Sequence, residues 1–222
     1  MQYPIGSFAE RRFLNMNELT IGSIIPFGGY DWRILDIQNY TALIIAEDII
    51  ELRAYNDIYK DTIWADCELR RYLNGSFYES FQEADRSRID PVMNKNLDNH
   101  WYGTKGGEDT LDTIFLLSVE EAVCRYFGDS SSKLYNPGKN QRYWFQRKDE
   151  NNGKRTATFK GYKWWWWLRS PGRNNVKAVY IHGDGNIGIQ GNNIFLCNIS
   201  SCFHPTTGDS RGGVRPALWL TL

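Results

Sequence analysis

An α+β fold with antiparallel sheets and two helices is what this chain predicts. Three observations carry that reading. Residues 21–46 form three apolar, strand-like runs separated by two short turns. Two helix-start signals follow them. Many short strand-like runs then fill the chain from Trp164 to Leu222. Strands, then helices, then strands again place the helices beside an antiparallel sheet rather than between parallel strands.

The elements follow in order. Residues 1–20 are a weakly patterned leader, and 21–222 read as one domain. Ile24–Phe27 runs into Gly28-Gly29, a turn with access to positive φ. Tyr30–Ile37 alternates, with Trp32, Ile34 and Asp36 on one side and Arg33, Leu35 and Ile37 on the other. After Asn39-Tyr40, Thr41–Ala46 is almost wholly apolar. Asp66 is the expected N-cap of a helix with Leu69, Tyr72 and Leu73 at helical spacing, stopped by Asn74-Gly75. Ser76 with Glu79 and Ser118 with Glu121 have the spacing of capping boxes. The second opens a helix over Val119–Phe127 that stops at Gly128, after a short buried strand at Ile114–Leu117. Residues 128–163 hold nine Lys or Arg against three acids and are broken by Pro137-Gly138, Asn151-Asn152-Gly153 and Gly161, so they read as a basic loop or insertion. Strands are expected at Trp164–Arg169, Val176–His182, Asn186–Ile189, Ile194–Cys197 and Val214–Leu222, with Asp184-Gly185 as a hairpin turn. The expected core is Trp32, Leu35, Trp64, Leu69, Leu73, Leu116, Val123, Trp167, Leu168, Ala217 and Trp219.

Composition excludes several function classes. The chain has 222 residues, 41% of them hydrophobic and 15% aromatic, which argues against disorder. Its 26 basic and 26 acidic residues cancel, which argues against a polyanion coat. No apolar run approaches the roughly 20 residues of a membrane span. Met1–Leu14 lacks the basic start and apolar run of a signal peptide. The expected location is cytoplasmic, or on a virion or cell surface through a partner. Four cysteines, at 67, 124, 197 and 202, then default to reduced thiols.

Catalytic signatures are scarce. There is no His-Glu-x-x-His, no phosphate loop and no Gly-x-Ser-x-Gly. Cys197, Cys202 and His204, with His182 as a fourth group, have the chemistry of a zinc or copper site. The spacing is not that of a common structural zinc, and a packed Cys197 is the preferred reading. No cofactor is expected. Tyr143, Trp144 and Phe145 between Arg142 and Arg147-Lys148 mix stacking rings with cations, as single-stranded nucleic-acid binders do. Zero net charge favours a solvated loop instead, so a nucleic-acid partner is not expected.

The run Trp164–Trp167 must bury indoles on both faces if it is a strand. The alternative is that Trp164 or Trp166 is an exposed platform for a sugar. Beyond it the chain becomes rich in loop-type polar residues between rigid flanks, a composition suited to adaptable hydrogen bonding on a fixed scaffold. The candidate ligand-binding residues are Arg173, Asn174, Asn175, Tyr180, His182, Asp184, Asn186, Gln190, Asn192, Asn193, Phe195, Asn198 and His204. Alternation in the strand puts Val179 and Ile181 inward and Tyr180 and His182 outward. Arg169 and Arg215 read as structural, tying loops by charge-assisted hydrogen bonds.

A set of motifs spans the chain. It comprises Ile24 to Asp36, Trp64 with Leu69-Arg70-x-Tyr72-Leu73-Asn74, Phe77-Tyr78, Ile114–Ser118 with Glu121-Ala122, Trp166–Gly172, and Gly213–Leu220. Together these resemble a bacterial and phage domain family of unassigned function on a C-type lectin fold, in the branch of the formylglycine-generating enzymes. The resemblance covers about residues 20–222, with 128–163 divergent. It implies a C-type lectin-like fold whose N-terminal strands pair near the C-terminal strand. It further implies kinship with variable proteins of diversity-generating retroelements, in which template adenines are copied with errors into the C-terminal coding region. The function so implied is non-catalytic binding of a protein or cell-surface ligand through a hypervariable surface. A carbohydrate-binding module using exposed Trp is one alternative. A copper- or thiol-dependent oxidase is another, because formylglycine-generating enzymes carry a cysteine pair with the separation of Cys197 and Cys202. The basic residues and Gly-Phe-Arg ending expected after that pair are absent, and no Glu-Pro-Asn or Trp-Asn-Asp of sugar-binding lectins is present.

Overall fold

A computed structural model describes residues 19–136, 138, 148–195 and 203–222. Its described part is mixed α and β, with two five-stranded sheets, two small hairpins and short helical turns. Strands β1 (Ile24–Phe27), β2 (Tyr30–Gln38) and β3 (Thr41–Ala46) form the meander read from the sequence. Asn39 takes φ +53 at the second turn, a left-handed conformation that Asn tolerates. The alternation expected in β2 is broken by a bulge between Ile34 and Asp36, so Ile34 and Leu35 are both buried.

Strand β4 (Glu51–Leu52) precedes helix α1 (Glu68–Tyr72). Cys67, not Asp66, caps α1: its Sγ accepts from the Arg70 amide at 3.3 Å, while Asp66 lies in the tight turn Trp64–Asp66 before it. The expected stop at Asn74-Gly75 is a kink instead. The chain continues as a π-helical turn over Leu73–Phe77, with Gly75 at φ −114° and ψ −109° and Ser76 inside the turn rather than capping it. Asn74 causes the bend to hold, since its side chain accepts from the Thr113 amide at 2.7 Å and donates to the Ile114 carbonyl at 2.9 Å.

Helix α2 (Glu83–Arg86) leads to β5 (Ile89–Asp90), β6 (Val92–Asn94) and β7 (Thr110–Asp112). Ile114–Leu117 is buried but is no strand; only Phe115 bridges to Ala217. The capping box after it is as read. Ser118 Oγ accepts from the Glu121 amide at 3.2 Å, and Glu121 Oε2 accepts from the Ser118 amide at 2.8 Å. The described parts of 128–163 are not a plain loop. They contain helices α3 (Ser131–Tyr135) and α4 (Asn152–Arg155) and the hairpin β8 (Ala157–Phe159) to β9 (Tyr162–Trp164). The rest of the second half is β10 (Trp166–Pro171), β11 (Lys177–Ile181), β12 (Ile187–Asn193), β13 (Gly213–Val214) and β14 (Ala217–Thr221). Strand β12 already extends to Asn193, and Cys197, the end of the strand expected at 194–197, lies outside the described residues.

The first sheet runs β1-β2-β3-β14-β5, and the second β12-β11-β10-β13-β4. The C-terminal strand β14 lies antiparallel between β3 and β5, so an early and a late segment share one ladder, as expected. Ten of the eleven expected core residues are buried. The exception is Trp219, which is only partly covered because one face of its indole borders a groove.

Both faces of the tryptophan run are covered. Trp165 and Trp167 meet edge to face at 4.6 Å on one side. Trp166 packs on the other with Phe127, under the Arg215 guanidinium. Three indole N–H groups donate to carbonyls: Trp164 to Arg211, Trp166 to Arg155 and Trp167 to Arg53. Arg215 is buried and donates to the carbonyls of Ala46 and Glu47 at 2.8 and 3.0 Å. Burial without a carboxylate partner pushes it down to about 10, so it stays charged at neutral pH. Arg169 is the second structural arginine. It pairs with Glu121 through two hydrogen bonds of 2.5 and 2.8 Å and donates to the carbonyls of Leu116 and Lys95.

Breaking this pair from one side strands a buried guanidinium. Glu121→Ala is expected to lower the unfolding free energy in urea by about 3–5 kcal/mol. Replacing both partners, Glu121→Leu with Arg169→Met, is expected to recover most of that loss. Equal destabilisation of the single and double variants would refute the assignment.

Candidate ligand-binding surface

The hairpin β11–β12 carries most of the expected binding residues, and its tip is held from below. The His182 amide donates to the Asn186 carbonyl at 2.7 Å, and the Gly185 amide to the His182 carbonyl at 2.8 Å. Gly185 has φ +83, and a Cβ there would lie 1.8 Å from the Asn152 carbonyl oxygen, so only glycine fits. Buried Arg155 donates through Nε to the Gly185 carbonyl at 3.0 Å and pairs with Asp149 at 2.8 Å. Asn152 donates to the Asn186 side-chain oxygen at 2.8 Å. The basic segment thus supplies the platform for the hairpin tip.

Asp184 gathers the charge at this tip. Burial alone would raise its carboxyl. The Asn186 amide, Lys148 at 3.0 Å and His182 at 3.0 Å outweigh that and hold it at about 2. His182 is exposed, as alternation requires.

The opposite end of the hairpin is stitched to a loop that sequence reasoning missed. The Arg173 amide donates to the Gln190 carbonyl and the Lys177 amide to the Asn174 carbonyl, which closes the turn after β10. The Thr62 amide donates to the Asn175 carbonyl, and the amides of Tyr55 and Asn56 both donate to the Ile194 carbonyl. Residues 56–62 are therefore pinned at both ends beside Arg173–Asn175 and Phe195. Buried Asn56 shapes the loop, donating to the Ile58 carbonyl and accepting from the Glu68 amide. Ile58 and Tyr59 stand out at 59% exposure each, beside Phe195 at 40%. Two large apolar residues between Asp57 and Lys60-Asp61 are the signal that could have flagged the loop.

The expected site residues divide by exposure. Arg173, Asn174, His182 and Phe195 are exposed; Asn175, Asp184, Gln190 and Asn192 are half-buried. Asn175 Oδ1 and Gln190 Oε1 are buried with no hydrogen-bond partner. Asn198 lies outside the described residues, as do Cys197, Cys202 and the Tyr143–Phe145 stretch.

Four expected residues are buried, each for a physical reason. Tyr180 follows the alternation, but the outer face of its strand is also covered. Its ring meets Trp165 at 5.4 Å and lies over Gly188, where a Cβ would come within 2.1 Å of it. Asn186 is inside the hairpin tip, bonded to Asn152 and Asp184. Asn193 is buried at the end of β12, where its Oδ1 accepts from the Phe195 amide. His204 is 1% exposed and ringed by Phe159, Tyr162 and Trp164 at 5.1–5.7 Å. Its Nε2 donates to the Phe159 carbonyl and its Nδ1 accepts from the Thr206 amide, so neither nitrogen is available to a metal. Trp166 is fully buried and Trp164 is covered by His204, so neither offers a free face to a sugar. Among the described residues, no group of three or more His, Cys, Asp or Glu is placed to hold a metal ion. No described helix is long and apolar enough to cross a membrane.

Residues 39–222 match the family model described as "Domain of unknown function (DUF6273)". No curated protein and no solved structure matches the chain.

The division between exposed and buried residues has measurable consequences. Arg173→Ala and His182→Ala are expected to change stability by less than about 0.5 kcal/mol at neutral pH. Asn186→Ala, which strands the Asn152 amide, is expected to cost about 1–3 kcal/mol. Urea titration of the three variants checks both statements. The depressed Asp184 carboxyl contributes stability above its unfolded pKa of about 4 that is lost as pH falls through about 2. Asp184→Asn should therefore flatten the stability–pH curve between about pH 4 and pH 2, and an unchanged acid limb would refute the assignment.

Proposed function

The chain belongs to the DUF6273 family, and from that premise we propose that it is a non-catalytic binding protein for a protein or cell-surface ligand. The binding face is formed by Arg173–Asn175, His182, Asp184, Asn192 and Phe195, extended by Ile58 and Tyr59. The observation that carries this reading is the pairing of exposed side chains with a pinned backbone. Both ends of β11–β12 and both ends of the 56–62 loop are hydrogen-bonded to buried structure, while Arg173, Asn174, His182, Phe195, Ile58 and Tyr59 are exposed. Rigid backbone with adaptable polar and aromatic groups keeps the entropy cost of binding low.

The scaffold is C-type lectin-like in this proposal. The adjacency of β3 and β14, the second sheet of short strands and the connecting helical turns support it. Diversification by a retroelement belongs to the same reading, with one refinement from packing. Buried Tyr180, Asn186, Asn193 and His204 belong to the framework, so variation has room only at the exposed positions.

Sequencing this gene across its source population tests the diversified surface. Substitutions are expected at adenines in the codons for Arg173, Asn174, Asn175, His182 and Asn192, with Tyr180, Asn186 and Asn193 spared. Variation without adenine bias, or equally frequent at the buried positions, refutes diversification. Binding is tested by comparing native protein with Ile58→Ser/Tyr59→Ser/Phe195→Ser, each immobilised and exposed to solubilised cell-surface protein. A loss of about tenfold or more in captured ligand is expected. Identical capture by a folded variant overturns the surface.

A further inference from the structure

A concavity lies away from this face. It is a groove of about 330 Å³, near the lower end of the range for small-ligand pockets. Its floor includes the Arg169–Glu121 pair. One wall is formed by β6 and the residues after it, the other by Arg125 and Tyr126, and Trp219 of β14 closes the side.

The charges on this lining do not balance in the same way. Its acids are engaged except for one oxygen of Glu120. Glu121 is held by Arg169 and the Ser118 amide, which keeps its carboxyl below the ordinary range although burial pushes the other way. Glu120 has one oxygen on His100 Nε2 at 2.6 Å and the other buried away from solvent without a partner. The exposed cations are outside ion pairs, although Arg125 is hydrogen-bonded to the Tyr126 side chain. Among the described residues, neither Lys95 nor Arg125 forms an ion pair. Arg125 stands beside the Tyr126 hydroxyl. Two exposed cations outside any ion pair, with the Trp219 indole, therefore border one groove.

The remaining lining is apolar. Met93 and Leu97 are exposed at 59% and 47%, and the Tyr126 and Trp219 rings are partly uncovered. Two cations and an indole N–H beside aromatic and aliphatic surface suit a ligand with a negative head and an apolar body. The volume accommodates a ligand built on one ring, and it is too small for a folded partner.

We propose that this groove binds a small organic anion, a carboxylate or phosphate carried on a single aromatic or branched apolar body. The anionic oxygens are received by Lys95, Arg125 and the Trp219 indole, and the body lies against Tyr126, Met93 and Leu97. The buried Arg169–Glu121 pair holds the floor and does not exchange partners on binding. This site is independent of the proposed protein-binding face.

Isothermal titration calorimetry of the full chain tests it with phenylacetate, indole-3-acetate and phenyl phosphate, and with uncharged phenylacetamide. Phenylacetate against phenyl phosphate distinguishes the two head groups. At least one anion is expected to bind, to weaken in high salt, and to bind at least about tenfold more tightly than phenylacetamide. Lys95→Ala/Arg125→Ala alters only exposed side chains, so its unfolding midpoint should stay native while anion affinity falls about tenfold or more. Arg173→Ala should leave anion binding unchanged. No heat from any anion up to about 10 mM, equal binding of phenylacetamide, or full affinity in the folded double variant would each overturn the proposal.

Discussion

A guanidinium taken out of water needs partners for its donors, and at the centre of this fold both terminal nitrogens of Arg169 find them, its buried Nε alone being left without one among the described residues. Its side chain is 2% exposed, and its two terminal nitrogens reach Glu121 and the carbonyls of Leu116 and Lys95. Its backbone joins the same knot: the amide donates to the Leu117 carbonyl and the carbonyl accepts from the buried Tyr55 hydroxyl. One residue of β10 therefore locks the second sheet to the helical turn at Glu121–Arg125, to the segment after β6 and to the chain entering the 56–62 loop. Moving any of these pieces exposes or strands a buried charge. The groove and the candidate surface both depend on it, since it lines the groove and its strand is the neighbour of β11.

The tryptophan run imposes the second constraint. Where β9 passes into β10, the four consecutive indoles send large apolar surface to both sides of the chain, so neither side can be left to solvent. On one side Trp165, Trp167, Tyr55 and Tyr180 interlock edge to face. On the other, Trp166 meets Phe127 and Arg215. Tyr180 is drawn inward by the first cluster, and His204 is enclosed with Trp164 by the second hairpin. Exposed polar side chains are thereby displaced from the strands to the turns and loops that border them. The same physics separates framework from surface in β11 and β12.

Local signals were legible wherever short-range chemistry decides the outcome. The Ser118–Glu121 box, the meander at residues 24–46, the hairpin turn at Asp184-Gly185 and the structural roles of Arg169 and Arg215 all follow from residue type and spacing. Reading failed where two local answers compete. Asn74-Gly75 has the composition of a helix stop, yet Asn74 bonds to Thr113 and Ile114, and the helix bends and continues. Asp66 is a better cap by type than Cys67, but the tight turn at Trp64 places the thiol at the helix entry. The site residues divided in the same way. Arg173, Asn174 and His182 are exposed as their turns require, whereas Asn186 and His204 have polar side chains whose partners lie far along the chain.

By itself the sequence determined the α+β class, the strand-rich ends, the capped turn and the need to cover both faces of Trp164–Trp167, because each depends on neighbours within a few residues. Only the tertiary structure decided which polar residues face outward, that Ile58 and Tyr59 join the candidate surface, and that unpaired Lys95 and Arg125 border one groove. Those outcomes depend on contacts between segments tens of residues apart, and residue type alone does not reveal whether a distant carbonyl, ring or carboxylate will arrive to satisfy a side chain.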